Sequence, residues 1–182
     1  MKITDTALSD VKIIEPTIFG DQRGFFLESW NRQVFEENEL PTDFVQDNHS
    51  RSQQGVLRGL HYQIKRPQGK LVRVTRGEVF DVAVDMRKFS PQYGKWVGVT
   101  LSESNQRLLW VPPGFAHGFY VVSDFADFQY KCTDYYAPQY ECTLLWNDKT
   151  VNINWPLVSG NTPLLAAKDL SGTVFQQAKF YD

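Results

Sequence analysis

What this chain lacks narrows its nature first. No run approaches the roughly 20 apolar residues that a membrane-spanning helix needs, and the opening MKITDTALSD has no apolar core of a secretion signal, so the cytoplasm is the expected compartment. Neither sign of charge dominates: 19 Lys and Arg stand against 21 Asp and Glu, a formal charge of −2. That balance gives no overall field for duplex nucleic acid or an anionic membrane surface, and neither is an expected partner. Cysteine is scarce. Cys132 and Cys142 have no second thiol at CxxC spacing, which argues against a zinc cluster or redox motif and for free, buried thiols. Repeats, low-complexity tracts and Gly- or Pro-rich linkers are missing too, so residues 1–182 are expected to form one domain. The absence of a P-loop and of GxGxxG argues against a mononucleotide held by a Walker or Rossmann loop.

What is present is an apolar share of 42% with 14% aromatic residues, enough for one large core. Short runs rich in β-branched and aromatic residues dominate: VKIIEPTIF, FFLESW, KLVRVT, EVFDVAVDM, WVGVTL, RLLWVP, GFYVVS, DFQYKC and ECTLLW. Separated by Gly, Pro, Asp and Ser, they predict an all-β sandwich or barrel. One helix is expected over NRQVFEENEL, closed by Pro41, with a turn at SESNQR and some helix in LLAAKDLSG.

Two patterns point to a site. Between Asp47 and Glu78 no acidic residue occurs, yet the window holds Arg51, Arg58, Lys65, Arg66, Lys70, Arg73 and Arg76 with His49 and His61. Such a stretch is either a basic outer face balanced by acids elsewhere in space or a site for an anion such as a phosphate. Strand alternation supplies the second pattern. His61 shares a side with Gln63 and Lys65; Lys70 with Val72 and Val74; Asp81 with Val79 and Ala83; His117 with Phe119 and Val121; Tyr130 with Phe128 and Cys132. Each could be a satisfied core group, but several polar residues among apolar neighbours on inward faces predict a cavity.

The runs QGVLRGLHYQ, PQGKLVRVTRGEVFDVAVDMR, SPQYGKWVG, WVPPGFAHGF, YKCTDYY, WND and AAKD, in that order from about Gly20 to Gly172, resemble the dTDP-4-dehydrorhamnose 3,5-epimerase family. The resemblance implies a double-stranded β-helix of the cupin (jelly-roll barrel) type with a few short peripheral helices. It also implies a homodimer and conversion of dTDP-4-keto-6-deoxyglucose to dTDP-4-keto-rhamnose in dTDP-L-rhamnose synthesis. Metal-binding cupins carry a His-x-His pair, whereas this chain reads His61-Tyr62-Gln63, so neither metal nor other cofactor is expected.

Epimerisation beside a ketone needs a base on one face, a holder for the charge on the carbonyl oxygen and an acid on the other face. His61 is the candidate base. The resemblance makes Asp169 its orienting carboxylate, Lys70 the enolate holder, Tyr130 the acid, and His117 with Asp81 a supporting pair on the cavity floor. It assigns the nucleotide end to Arg23, Phe26, Glu28, Gln46, Asn48, Tyr136 and Lys168. Phe26 and Tyr136 would be stacking surfaces, and the charged members would hold the pyrophosphate. Arg58 matches a residue lining the same site, although strict alternation turns it away from His61, so a bulge is expected at Gly59. A cupin sugar-nucleotide 3-epimerase or ketoisomerase would share the fold and His61 and need a different acid.

Overall fold

Among the described residues, 1–160 and 162–182, the computed structural model has thirteen strands. In chain order they are β1 (Lys2–Asp5), β2 (Lys12–Glu15), β3 (Ile18–Asp21), β4 (Gly24–Leu27), β5 (Gln46–Gln53), β6 (Leu57–Gln63) and β7 (Lys70–Arg76). After these come β8 (Glu78–Asp85), β9 (Trp96–Ser102), β10 (Leu108–Val111), β11 (Phe115–Val121), β12 (Phe125–Cys132) and β13 (Glu141–Thr143). The helices α1 (Arg32–Glu37) and α2 (Ala167–Leu170) are short, and none is long and apolar enough to cross a membrane.

Six strands form one antiparallel sheet in the order β1-β2-β10-β7-β12-β5, and five form a second, β13-β6-β11-β8-β9. The two face each other as the double-stranded β-helix that was expected. Between them pack Val72 and Val74, Val79 and Ala83, Leu101, Leu109, Phe119 and Phe128. Phe119 and Phe128 stack across the barrel at 4.1 Å between ring centroids. Two further clusters close the outer faces. Leu60, Tyr62, Val82 and Tyr120 pack under Leu144, Val151 and Trp155 from the later chain, and Ile14, Leu71, Leu108 and Trp110 pack under Phe35 and Leu40. Burying side chains of this size is worth roughly 1.5–3 kcal/mol each.

The single run VKIIEPTIF becomes two strands that part at Pro16, which has no N–H to give a ladder, and the second turns away into the β3–β4 hairpin. The expected helix is shorter than its sequence run. Asn31 caps it by accepting from the Val34 N–H at 3.3 Å, and Asn38 ends it two residues before Leu40 packs back on Phe35. The LLAAKDLSG stretch holds one helical turn, α2. Strand β5, QDNHSRSQ, has no apolar residue and none of the expected strand runs covers it.

Strand β6 carries the local irregularity that matters for the site. His61 pairs with His117 and Arg58 with Phe119, so three steps on β6 oppose two on β11. The extra residue puts Arg58 and His61 on one face, the bulge anticipated at Gly59. Gly59 has φ +126°, and a Cβ there would stand 2.6 Å from the Gly118 Cα and 2.8 Å from the His117 carbonyl oxygen. Gly59→Ala is therefore expected to cost about 2–4 kcal/mol from clash and backbone strain together, measured by urea unfolding. A loss below half a kcal/mol would show that the bulge accepts a side chain.

Candidate active site

The two sheets enclose a cavity of about 290 Å³ to which both contribute. From the six-stranded sheet come two adjacent rows across β7, β12 and β5: Lys70 beside Cys132 and Gln46, then Val72 beside Tyr130 and Asn48. The five-stranded sheet supplies His61, which lies between Thr143 and His117 in register. His61 and the Lys70–Tyr130 pair thus stand on different sheets around one space.

His61 Nε2 is 2.6 Å from Asp169 Oδ1, and Asp169, in the first turn of α2, is buried. An ionised carboxylate only accepts, so it fixes the proton on Nε2 and leaves the Nδ1 lone pair free. Burial lowers the His61 value below the ordinary 6.5; the Asp169 bond opposes this and the charges of Lys168 and Lys70 reinforce it. The ring is thus neutral near pH 7. Lys70 lies in the cavity wall with no hydrogen bond or ion pair to its ammonium among the described residues, and burial draws that ammonium below 10.5. Tyr130 is pushed up to about 12, mainly by burial and against the charge of Arg58, so its hydroxyl stays a donor at neutral pH.

Beneath the wall His117 and Asp81 form a buried pair, Nε2 lying 2.9 and 3.0 Å from the two carboxylate oxygens. Neither lines the cavity. They are coupled to it by charge, because Asp81 and Lys70 act on each other, and by packing, because His117 stacks on Phe128, which tilts against Tyr130. Burial pushes the Asp81 carboxyl up against the pull of His117 and Lys70.

At the other end of the cavity, Gln46 Nε2 donates to Asn48 Oδ1 at 3.1 Å and the Tyr136 N–H donates to Gln46 Oε1 at 3.0 Å. The Tyr136 hydroxyl donates to Glu141 at 3.1 Å, and Lys168 Nζ donates to the same carboxylate at 3.1 Å. Gln46, Asn48, Tyr136 and Lys168 are thus brought together at one end of the cavity. Arg23, Phe26 and Glu28 are not. They lie on or just after the β3–β4 hairpin, outside this cavity; Phe26 is 68% exposed and Arg23 is ion-paired with Asp21. A hairpin that packs mainly on itself cannot bring them there within one chain. Arg58 is on the inner face but at the edge of the site, its Nε donating to Ser52 Oγ at 3.0 Å.

The acid-free window divides between its two readings. Arg51 pairs with Asp127 and Arg66 with Asp134, acids from elsewhere in the chain, and Arg76 lies over the Phe125 ring. Among the described residues, His61 and Lys70 are the only basic members of the window that line the cavity. Lys65 falls beyond the end of β6 and lies over the Tyr140 ring. Cys132 is a free, buried thiol; Cys142 is free and only half-buried. Tyr62, Gln63, Gln68, Cys132 and Glu141 also line the cavity and are not among the expected site residues. Parity had put Gln63 with His61 and Cys132 with Tyr130; Glu141, inside a strand run, gave no signal. Among the described residues no three His, Cys, Asp or Glu side chains converge as a metal set.

A neutral imidazole on one wall facing an ammonium and a phenol on the other suits a double-stranded β-helix isomerase that moves protons beside a carbonyl. Residues 5–177 match the dTDP-4-dehydrorhamnose 3,5-epimerase family. The chain is 57% identical to the dTDP-4-dehydrorhamnose 3,5-epimerase of Pseudomonas aeruginosa over 179 residues, 98% of each protein. The dTDP-6-deoxy-D-glucose-3,5-epimerase of Legionella pneumophila, solved in complex with dTDP-4-keto-L-rhamnose, superposes with a TM-score of 0.94 at 52% identity, over 100% of this chain and 98% of that one. A 3′-monoepimerase from Streptomyces bikiniensis in complex with dTDP-quinovose superposes with a TM-score of 0.87 at 29% identity, over 93% and 86%. This chain belongs to the dTDP-4-dehydrorhamnose 3,5-epimerase family and is an isomerase.

The charge states set a pH profile. kcat/KM reports the free enzyme, so its acid limb should have a midpoint below 6.5, where the lowered His61 takes up a proton and ceases to be a base. Its alkaline limb should fall below 10.5 as Lys70 loses its charge, with Tyr130 at about 12 outside the range. Lys70→Arg, which cannot deprotonate, should remove the alkaline limb. An acid limb at or above 6.5 would contradict His61 as the base.

Proposed function

We propose that residues 1–182 act as one domain that converts dTDP-4-dehydro-6-deoxy-D-glucose to dTDP-4-dehydro-L-rhamnose, a step of dTDP-L-rhamnose synthesis. The observation that carries this reading is the placement of His61–Asp169 and of Lys70 and Tyr130 on different sheets around one cavity. His61 Nδ1 takes the proton from C3. The C–H electron pair moves into the ring and onto the C4 oxygen, and the Lys70 ammonium holds the enolate. Tyr130 gives its hydroxyl proton to the opposite face, which inverts the carbon; His61 then releases its extra proton to solvent, the Tyr130 phenolate takes one back, and the same cycle acts at C5. Protons alone balance the scheme, so no cofactor enters it. The His117–Asp81 pair supports Lys70 from below.

The nucleotide lies toward Gln46, Asn48 and Tyr136, with the Tyr136 ring as a stacking surface and Lys168 and Arg58 toward the pyrophosphate. Arg23, Phe26 and Glu28 join this site from a second copy. Their hairpin exposes Ile18, Phe19, Phe25 and Phe26 together, and β5, which carries Gln46 and Asn48, is an edge strand. A homodimer in which each hairpin docks beside the other copy's β5 covers both and completes the nucleotide end. The cytoplasm suits the two free thiols.

Two experiments test the reading. In heavy water, Tyr130→Phe should still admit deuterium at C3 while inversion falls by about 10²–10⁴, because base and enolate holder remain and only the opposite-face donor is lost. If exchange and inversion fall together, Tyr130 is not that acid; deuterium entering the parent enzyme's product at C3 alone would favour the 3-epimerase. In the second, inactive His61→Asn and inactive Arg23→Ala/Phe26→Ala chains are mixed under exchange. Hairpins acting across a two-fold dimer should restore about a quarter of the activity, since half the sites in mixed dimers are intact. No recovery would place the hairpin's role within its own chain.

A further inference from the structure

We propose that Gln63 is a positioning residue for the nucleotide end: its carboxamide clasps the loop that carries Tyr136. Gln63 is the last residue of β6, two positions beyond His61, and is 4% exposed. Its Nε2 donates to the Arg66 carbonyl at 2.7 Å and to the Tyr135 carbonyl at 3.3 Å, while its Oε1 accepts from the Ala137 N–H at 2.8 Å. Both amide hydrogens and one side of the oxygen are therefore spent on main chain.

The partners explain the consequence. Tyr135 O and Ala137 N are the main-chain groups on either side of Tyr136, so one planar group grips the chain before and after that residue. Ala137 is 2% exposed, and its N–H, shut off from water, depends on Gln63. Tyr136 itself is gripped once more, by Gln46 through its N–H. Two outer ties run between the β6–β7 turn and the same loop, from Gln68 to the Asp134 carbonyl and from Arg66 to the Asp134 carboxylate. The Arg66 tie is exposed and competes with water, whereas the Gln63 contacts do not, so the buried carboxamide sets the loop. The side chain next along from the base thus serves the far end of the same substrate.

This inference rests on Tyr136 stacking against the base, and the test separates the two. Gln63→Met, which keeps length and loses every polar contact, should weaken dTDP binding by about tenfold in a titration, a typical worth of one stacking contact. KM should rise similarly while kcat at saturation stays within about threefold, because His61, Lys70 and Tyr130 are untouched. In a Tyr136→Ala background the same change should cost less than about twofold, since its effect runs through that ring. Gln63→Glu keeps an acceptor for Ala137 and gives up both donors; it should fall between, and it carries the cycle if Gln63→Met does not fold. Losses that add in full, or a kcat that falls with affinity, overturn the role of Gln63. Parent-like dTDP binding by Tyr136→Ala overturns the stacking assignment itself, and the clasp with it.

Discussion

A lysine held between two β-sheets without a carboxylate against it is the constraint on which the rest of this site depends. An ammonium out of water is expensive unless something compensates. Here the compensation is indirect: Lys70 has no partner at contact distance among the described residues, but the Asp81 carboxylate acts on it from the buried pair with His117. The free ammonium is left facing the cavity, where a developing negative charge is its natural partner. The same burial lowers His61 and raises Tyr130, so one act of enclosure keeps the imidazole neutral and the phenol protonated.

Enclosure also decides geometry. Two sheets folded against each other offer two walls, and inversion at carbon needs groups on two sides. His61 is aimed by a carboxylate from α2, over 100 residues away in sequence, and Tyr130 is braced by the stacked rings of Phe128, Phe119 and His117. The bulge at Gly59 turns Arg58 to the same face as His61, which a regular strand would forbid.

The other end of the cavity, the proposed nucleotide end, is built differently, from edges and loops. Its groups come from the edge strand β5, the loop after β12, β13 and α2, and they satisfy one another through Gln46, Glu141 and Gln63. Such a network is preformed but open, suited to a ligand whose reacting sugar must enter a closed space while its base remains near the surface.

Much was legible in the sequence because burial writes a period. Short runs rich in β-branched and aromatic residues revealed β7, β8, β11 and β12, and polar residues at inward parity, His61, Lys70 and Tyr130 among them, pointed to a cavity. β5 was silent for the opposite reason: an edge strand with one face on a polar cavity and the other in solvent has no apolar residue to betray it. Gln63 was visible as a polar residue on the face of His61 and as a missing histidine, but its role was not, since its work is done on main-chain atoms of a distant loop. The order of residues determined which side chains share a strand face, because alternation is a local property of the backbone. Only the tertiary structure decided which faces meet, that Asp169 reaches His61, and that the hairpin carrying Phe26 turns away from its own cavity, because those outcomes depend on contacts between segments that no local period encodes.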